Sequence, residues 1–465
     1  MTKLNYDEDL ICLRNAYVAF SLSFTTMAKM LFLHLSDIHF REKEINRADD
    51  PNAGLRDDLI HDIRYMRKKL ARKADAILIS GDIAFGGTAK EYEFALKWIV
   101  EDLCPVSGCD VDNVFVIPGN HDVDRSVANS PMHADARQML REYPAAKVEG
   151  KIRDYMSNKT SARLLFDPIE NYNRFAARFW CSLGAYDDDN PDIRPFAVRN
   201  CELNDGSTLK IWGFNSVLVS DITDREDRML VDPSAAQIKR EEGVTHLIAC
   251  HHPFNWLKNR GPFRERIEEV AKVHLFGHEH TRRVEEGVHF TTIRAGAVQP
   301  DRDEPEWKPG YNWVDISVDG QDSSRQLLVK IWVRQRDGAQ FIAVPNRYQE
   351  DPWVLRHRLP AWSPPSKNIE VSTEPTVDQS SLTAAQGGTA VPEDSPNLRS
   401  VAFKMFRLNE HEQRQIIVAL GLDENGDQGL KDYEFALIAV RRASQQGKLG
   451  QLDRLIDEQI AGEGN

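Results

Sequence analysis

A chain of 465 residues, 41% hydrophobic and 28% charged, has the make-up of a globular protein with two or three folding units. Its formal net charge of −13 argues against charge-driven coating of nucleic acid, while leaving room for a local phosphate-accepting cleft. The 6 cysteines (Cys12, Cys104, Cys109, Cys181, Cys201 and Cys250) form no C-x-x-C pair, which argues against a disulfide framework or thiolate zinc site and points to a reducing cytoplasm.

Residues 1–29 read as an N-terminal extension. Leu10 to Leu33 is fairly apolar, but Arg14, Asn15 and Lys29 interrupt it and Asp7, Glu8 and Asp9 precede it. A signal peptide or a membrane span is therefore not expected. Met27 or Met30 would make a natural start just before the first strand.

From Met30 the pattern repeats strand, loop, helix. Leu31–Leu35 is a short apolar run, Leu59 to Leu70 carries apolar residues at helical spacing, and Ala76–Ile79 is a second buried strand. Tyr92 to Leu103 predicts a helix and Val114–Ile117 a third strand. Such alternation implies parallel strands covered by helices, with a site beyond their carboxyl ends. About residues 123–208 read as a helical insertion capping that site, including Asp135–Glu142, Ile169–Trp180 and the acidic Asp187-Asp188-Asp189. Strands resume at Leu209–Phe214, Thr245–Cys250, Val273–Phe276, Phe290–Arg294, Trp313–Val318 and Gln326–Val333. This later series is expected to build the second sheet of a sandwich.

The Pro/Ser/Thr/Gly/Gln-rich stretch within residues 361–398 reads as a flexible linker. Residues 399–465 then read as a small helical domain. A capping box at Asn409–Glu412 opens one helix; Tyr433, Leu437 and Val440 define another, and Leu449 to Ile460 a third. Asp423–Glu434 nearly spells a calcium loop, but Gln428 stands where the sharp turn requires glycine, and no partner hand exists.

The polar clusters each follow a strand. Asp37-x-His39 places two side chains on one side of an extended segment. Gly81-Asp82 offers a carboxylate after a glycine turn, and Gly119-Asn120-His121-Asp122 an amide and an imidazole. His251-His252-Pro253 and Gly277-His278-Glu279-His280 complete a set of oxygen and nitrogen ligands suited to divalent cations. Over about Leu31 to Val298 these five blocks resemble, in order, the D-x-H, G-D, G-N-H-D, H and G-H-x-H pattern of the calcineurin-like metallophosphoesterases.

The resemblance implies an α/β fold, a four-layer α/β/β/α sandwich spanning residues 30–360, with the all-α C-terminal domain after the linker. It implies a hydrolase with a binuclear metal centre. Asp37, His39, Asp82 and His280 would hold one ion, and Asp82, Asn120, His251 and His278 the other, with Asp82 bridging. Manganese is expected, iron or zinc being accepted by the same donors. His121 would be the general acid, with Asp122 beside it as an orienting residue. The expected reaction is phosphodiester hydrolysis of a nucleotide or similar small substrate by a hydroxide that the two metals activate.

Further readings are weaker in pattern. Asn215, His252 and Arg41 are candidate substrate contacts; Arg125 is another cation close after a ligand block, and His34 is expected to be structural. The segment from Ala443 to Leu452 resembles the ending of effector-associated adaptor domains, implying a protein partner recruited by the helical tail. Removing Asn397 to Asn465 is then expected to leave small-diester turnover unchanged. The competing functions are a nuclease of the SbcD type, with nucleic acid as substrate, and a signalling scaffold in which the tail does the work.

Overall fold

The computed structural model describes residues 29–45, 47–186, 193–280, 283–301, 303, 308–364 and 396–462. The N-terminal extension, the Asp187–Asp189 run and nearly all of the expected linker lie outside these residues.

The first sheet starts with three parallel strands, β1 (Met30–Leu35), β2 (Ala76–Ile79) and β3 (Val114–Val116). All three are buried nearly throughout and apolar apart from His34, as parallel strands covered on both faces require. Between them run α1 (Ala53–Leu70) and α2 (Ala89–Trp98). Leu55, Leu59, Ile63 and Met66 form the buried stripe of α1, and Arg67, Lys68 and Lys69 complement the dipole in its last turn. Thr88 and Glu91 close a capping box on α2. Glu91 also accepts hydrogen bonds from the Glu42 and Gly86 amides, tying the helix start to the loops that follow β1 and β2.

The second sheet has the order β4-β5-β6-β7-β9-β8, built from Phe196–Glu202, Thr208–Phe214, Val244–Cys250, Ala271–Phe276, Thr291–Arg294 and Arg283–Glu286 respectively. Its four inner strands are parallel and both edges antiparallel. The sheets meet closely where Gly213 faces Phe115 and Ile117: a Cβ at Gly213 would fall 2.5 Å from Ile117 Cγ2. Helix α7 (Arg260–Val270), which joins β6 to β7, buries Phe263, Ile267 and Val270.

Two sequence expectations are corrected. Trp313–Val318 and Gln326–Val333 belong to the first sheet, as β10 (Gly310–Asp319) and β11 (Gln326–Asp337), with β10 antiparallel to β1. An apolar run does not encode which sheet it joins, and here the free edge of β1 is the one that needed covering. β12 (Gln340–Ala343) and β13 (Trp353–Arg358) then pair with successive halves of β11. The helical insertion is also shorter than expected: α3 (Pro131–Glu142), α4 (Ala145–Met156), α5 (Lys159–Phe166) and α6 (Glu170–Ala176) give way to strand β4 before residue 208.

Among the described residues the tail has four α-helices, α8 (Leu398–Met405), α9 (Glu410–Ala419), α10 (Asp432–Gln445) and α11 (Leu449–Gly462), one more than the sequence suggested. Its own core gathers Val401, Met405, Ile417, Val440, Leu452 and Ile456, and it takes in Ala177 from the insertion. The calcium-like loop is spent on structure. Asp427 pairs with Arg442 (2.6 Å) and Glu434 accepts the Lys431 amide (3.0 Å).

Candidate metal centre

The loops after β1, β2, β3, β6 and β7 converge at one end of the two sheets. There Asp82 Oδ2 lies 3.3 Å from His39 Nε2 and 3.2 Å from His251 Nε2, so one carboxylate oxygen faces two imidazoles from different sheets. Asn120 Oδ1 lies 3.1 Å from His251 Nε2 and 3.0 Å from His278 Nδ1. On the other side, Asp37 Oδ1 is 3.4 Å from His280 Nε2. All seven residues expected as ligands are therefore gathered in one cluster.

The local backbone is unusual. Asp37, His39, Asp82, His278 and His280 have φ of 52°, 54°, 53°, 68° and 50°. Left-handed backbone in a residue with a Cβ costs about 1–3 kcal/mol, and it persists only where the surroundings over-determine it. Here they do: the Ile38 and His39 amides donate to Asp82 O (2.8 and 3.0 Å), and Asp37 N donates to Gly81 O (3.0 Å). Gly119 is equally constrained, since a Cβ there would lie 2.1 Å from Asp82 Oδ1 and 2.5 Å from its amide.

The imidazoles are oriented by backbone carbonyls. His39 Nδ1 pairs with Gln299 O (3.3 Å), His251 Nδ1 with Ser80 O (2.9 Å) and His121 Nδ1 with Phe85 O (3.0 Å). Each bond turns the other ring nitrogen toward ligation or proton transfer, as metal-binding histidines require. Burial alone would push the Asp82 carboxyl up, but the charges of His251 and His121 and the His251 and His39 bonds hold it well below the usual carboxylate range. Burial would likewise lower His251, yet Asp82 and Asp37 raise it to about 9. Burial, reinforced by His251, lowers His278 to about 3. A cluster of nitrogen and oxygen lone pairs held this closely fits divalent cations.

Asp122 takes no part in that cluster. It is fully buried and accepts hydrogen bonds from the Ala84 and Gly119 amides (2.9 and 2.8 Å) and the Tyr92 hydroxyl (2.8 Å). Burial and the Asp82 charge push its carboxyl up to about 7. It locks the Asp82 and Asn120 turns together.

Asn215, His252 and Arg41 are the expected substrate contacts. Asn215 is buried, its Oδ1 accepting the Val217 amide (2.9 Å), and His252 is fully buried beside His278. Neither faces solvent. The Arg41 guanidinium stacks 3.8 Å over Phe85, the ring that also stacks on His121, and pairs with Asp301 and Glu44. His34 is buried against Ser80 Oγ (3.0 Å). Sequence reasoning missed Gln299 and Ser80, which act through backbone carbonyls and so leave no side-chain signal, as well as Phe85, whose ring also stacks on His121, and Tyr92, whose hydroxyl holds Asp122.

This chain belongs to the calcineurin-like phosphoesterases, whose family model matches residues 30–282. A second model, the GTPase-associated adaptor domain, matches residues 397–458. The metallophosphoesterase-like protein YydB of Bacillus subtilis (strain 168) is 29% identical over 102 residues, 22% of this chain and 19% of that protein. Glycerophosphodiester phosphodiesterase GpdQ of Enterobacter lignolyticus (strain SCF1) is 34% identical over 95 residues, 20% of this chain and 30% of that protein. The matched segments thus span less than a third of either curated relative. Among solved structures, GAP50 of Plasmodium (10% identity, TM-score 0.36) covers 72% of this chain and 90% of its own. Vacuolar protein sorting 29 of Cryptosporidium parvum (11% identity, TM-score 0.29) covers 71% and 99%.

Proposed function

We propose that this phosphoesterase is a two-metal phosphodiesterase acting on a nucleotide or similar small diester. The observation that carries the reading is the single Asp82 oxygen shared between His39 and His251, because two ions held side by side need one bridging carboxylate. Asp37, His39 and His280 would complete one subsite, and Asn120, His251 and His278 the other. Bound divalent ions, with manganese the expected pair, would supply Lewis-acid stabilisation of phosphoryl charge and a nucleophilic hydroxide at neutral pH.

The chain's own groups do the rest. His121 is fixed by its Phe85 carbonyl bond, by stacking on Phe85 at 4.7 Å between centroids, and by its amide on Asp82 Oδ1 (2.7 Å). That leaves Nε2 to deliver a proton to the departing oxygen. Asp122 positions the turn and does not exchange protons with substrate. The choice of a diester is supported by the segment shared with a glycerophosphodiester phosphodiesterase. The helical tail, matched by an adaptor-domain model, would recruit a protein partner in the cytoplasm.

The test offers manganese-loaded protein bis-p-nitrophenyl phosphate, cyclic nucleotides, and single- and double-stranded DNA, with Asp82→Ala as control. Small-diester turnover lost in the control supports the proposal. DNA cleavage without small-diester turnover replaces it with a nuclease, and inertness toward every substrate with metals bound overturns it.

A further inference from the structure

His252 is fully buried, and its two ring nitrogens have unequal surroundings. Nδ1 is 2.9 Å from Ser216 Oγ, and the His252 amide donates to the same hydroxyl at 3.2 Å. Nε2 is buried with no hydrogen-bond partner. Such an atom calls for an explanation, since most buried polar groups are paired. An unpaired ring nitrogen is not unique to His252: His274 also has them, but it lies as an apolar plate stacked on Phe290 at 4.5 Å.

Its neighbours set His252 apart. Its ring centroid is 4.5 Å from His278 and 5.0 Å from His251, and one ligand atom from each of these three histidines can be chosen so that all lie within 4.8 Å of one another. At His39 and His251 one ring nitrogen is likewise held by a protein oxygen, with Nε2 facing the Asp82 carboxylate; at His252 Ser216 Oγ takes the place of the carbonyl and Nε2 faces no partner. The ring is therefore held at one nitrogen beside two candidate ligands, with the other nitrogen unengaged.

We propose that His252 is a further imidazole ligand of the subsite formed by Asn120, His251 and His278, binding through Nε2 with Nδ1 donating to the Ser216 hydroxyl. The inference rests on the two-metal reading above and sharpens it. A subsite with three imidazoles is richer in nitrogen than the one built from Asp37, His39 and His280, and nitrogen-rich sites suit zinc or iron(II) better than manganese. The two positions would then take different ions from a mixture.

The full chain, with histidine nitrogen-labelled and the metals replaced by the NMR-active cadmium isotope, decides the matter by direct cadmium–nitrogen splitting. The expected spectrum shows split resonances from His39, His251, His278, His280 and, at Nε2, His252; the His252→Gln variant retains the other four. In calorimetry that variant should bind one zinc at least about tenfold more weakly, the scale on which metal-site partners act. A wild-type spectrum without splitting at His252, in protein holding two cadmium ions per chain, overturns the proposal whether or not any variant folds. Fewer than two ions per chain would instead contradict the two-metal reading, while the His252 resonance still decides the role of that residue.

Discussion

Asp82 carries more of the site than any other side chain. One oxygen faces His39 and His251 and the other accepts the His121 amide, so a single truncation removes the proposed bridge and frees the proposed general acid. Asp82→Ala should lower bound metal, read by elemental analysis, and reduce kcat on bis-p-nitrophenyl phosphate by roughly 10³-fold, the scale of several kcal/mol of metal-assisted stabilisation. His121→Ala separates a different role. It should leave metal content unchanged yet reduce kcat by about 10²–10⁴-fold on a diester with a poor leaving group, and much less on a nitrophenyl ester that needs no proton. Equal losses on both substrates would assign His121 to structure. The seven candidate ligand residues could be picked from the sequence because each is a side chain at a strand end. The orienting carbonyls of Gln299, Ser80 and Phe85 could not, because a backbone oxygen leaves no mark in the residue code.

At the scale of elements, the ligands are displayed by strand ends whose turns have little room. Gly119→Ala would set a Cβ 2.1 Å from Asp82 Oδ1, and since both β2 and β3 are pinned in the sheet the turn should yield first. Reduced metal retention with a nearly unchanged circular dichroism spectrum is the expected result. The strands themselves bury histidines that the reaction does not use. Burial lowers His274 on β7 to about 3, and His246 on β6 and His357 on β13 to about 4. All three are neutral when folded and take up protons near pH 6.5 when unfolded, so the unfolded state binds more protons as pH falls below that value. Stability should drop between about pH 6.5 and 4, and His274→Leu should flatten the fall of melting temperature over that window. Strand positions were readable from apolar runs, but sheet membership was not: β10 and β11 carry the same pattern as β6 or β7 and joined the other sheet.

Across the whole molecule, the tail is docked on the insertion. Lys431 reaches Asp167 (3.0 Å) and Glu170, Arg174 pairs with Glu410 (3.3 Å), and the Arg178 guanidinium lies 5.4 Å from the Phe406 ring centre. Beneath them Phe403 meets Phe179 (6.3 Å between centroids), Phe179 meets Phe175 (5.2 Å), and Phe175 meets Tyr92 (5.1 Å), whose hydroxyl holds Asp122. This packing changes the expectation for truncation. Removing Asn397 to Asn465 would uncover Ala177 and Phe179, the latter alone worth about 1.5–3 kcal/mol when buried. The shortened chain should melt several degrees lower while keeping its metal content, whereas an unchanged melting temperature would mean that the tail does not dock in solution. None of this was visible in the sequence, where the residues between strand and tail show only composition.

Phosphoester hydrolysis at the converged strand ends should depend on bound metal. The most direct test of that dependence is the turnover of bis-p-nitrophenyl phosphate by metal-free protein titrated with manganese, with bound metal measured in the same samples. Activity should be absent without metal and rise in step with occupancy up to two ions per chain, and Asp82→Ala should stay roughly 10³-fold below it throughout. Full metal occupancy with no hydrolysis, or hydrolysis indifferent to metal, would contradict it.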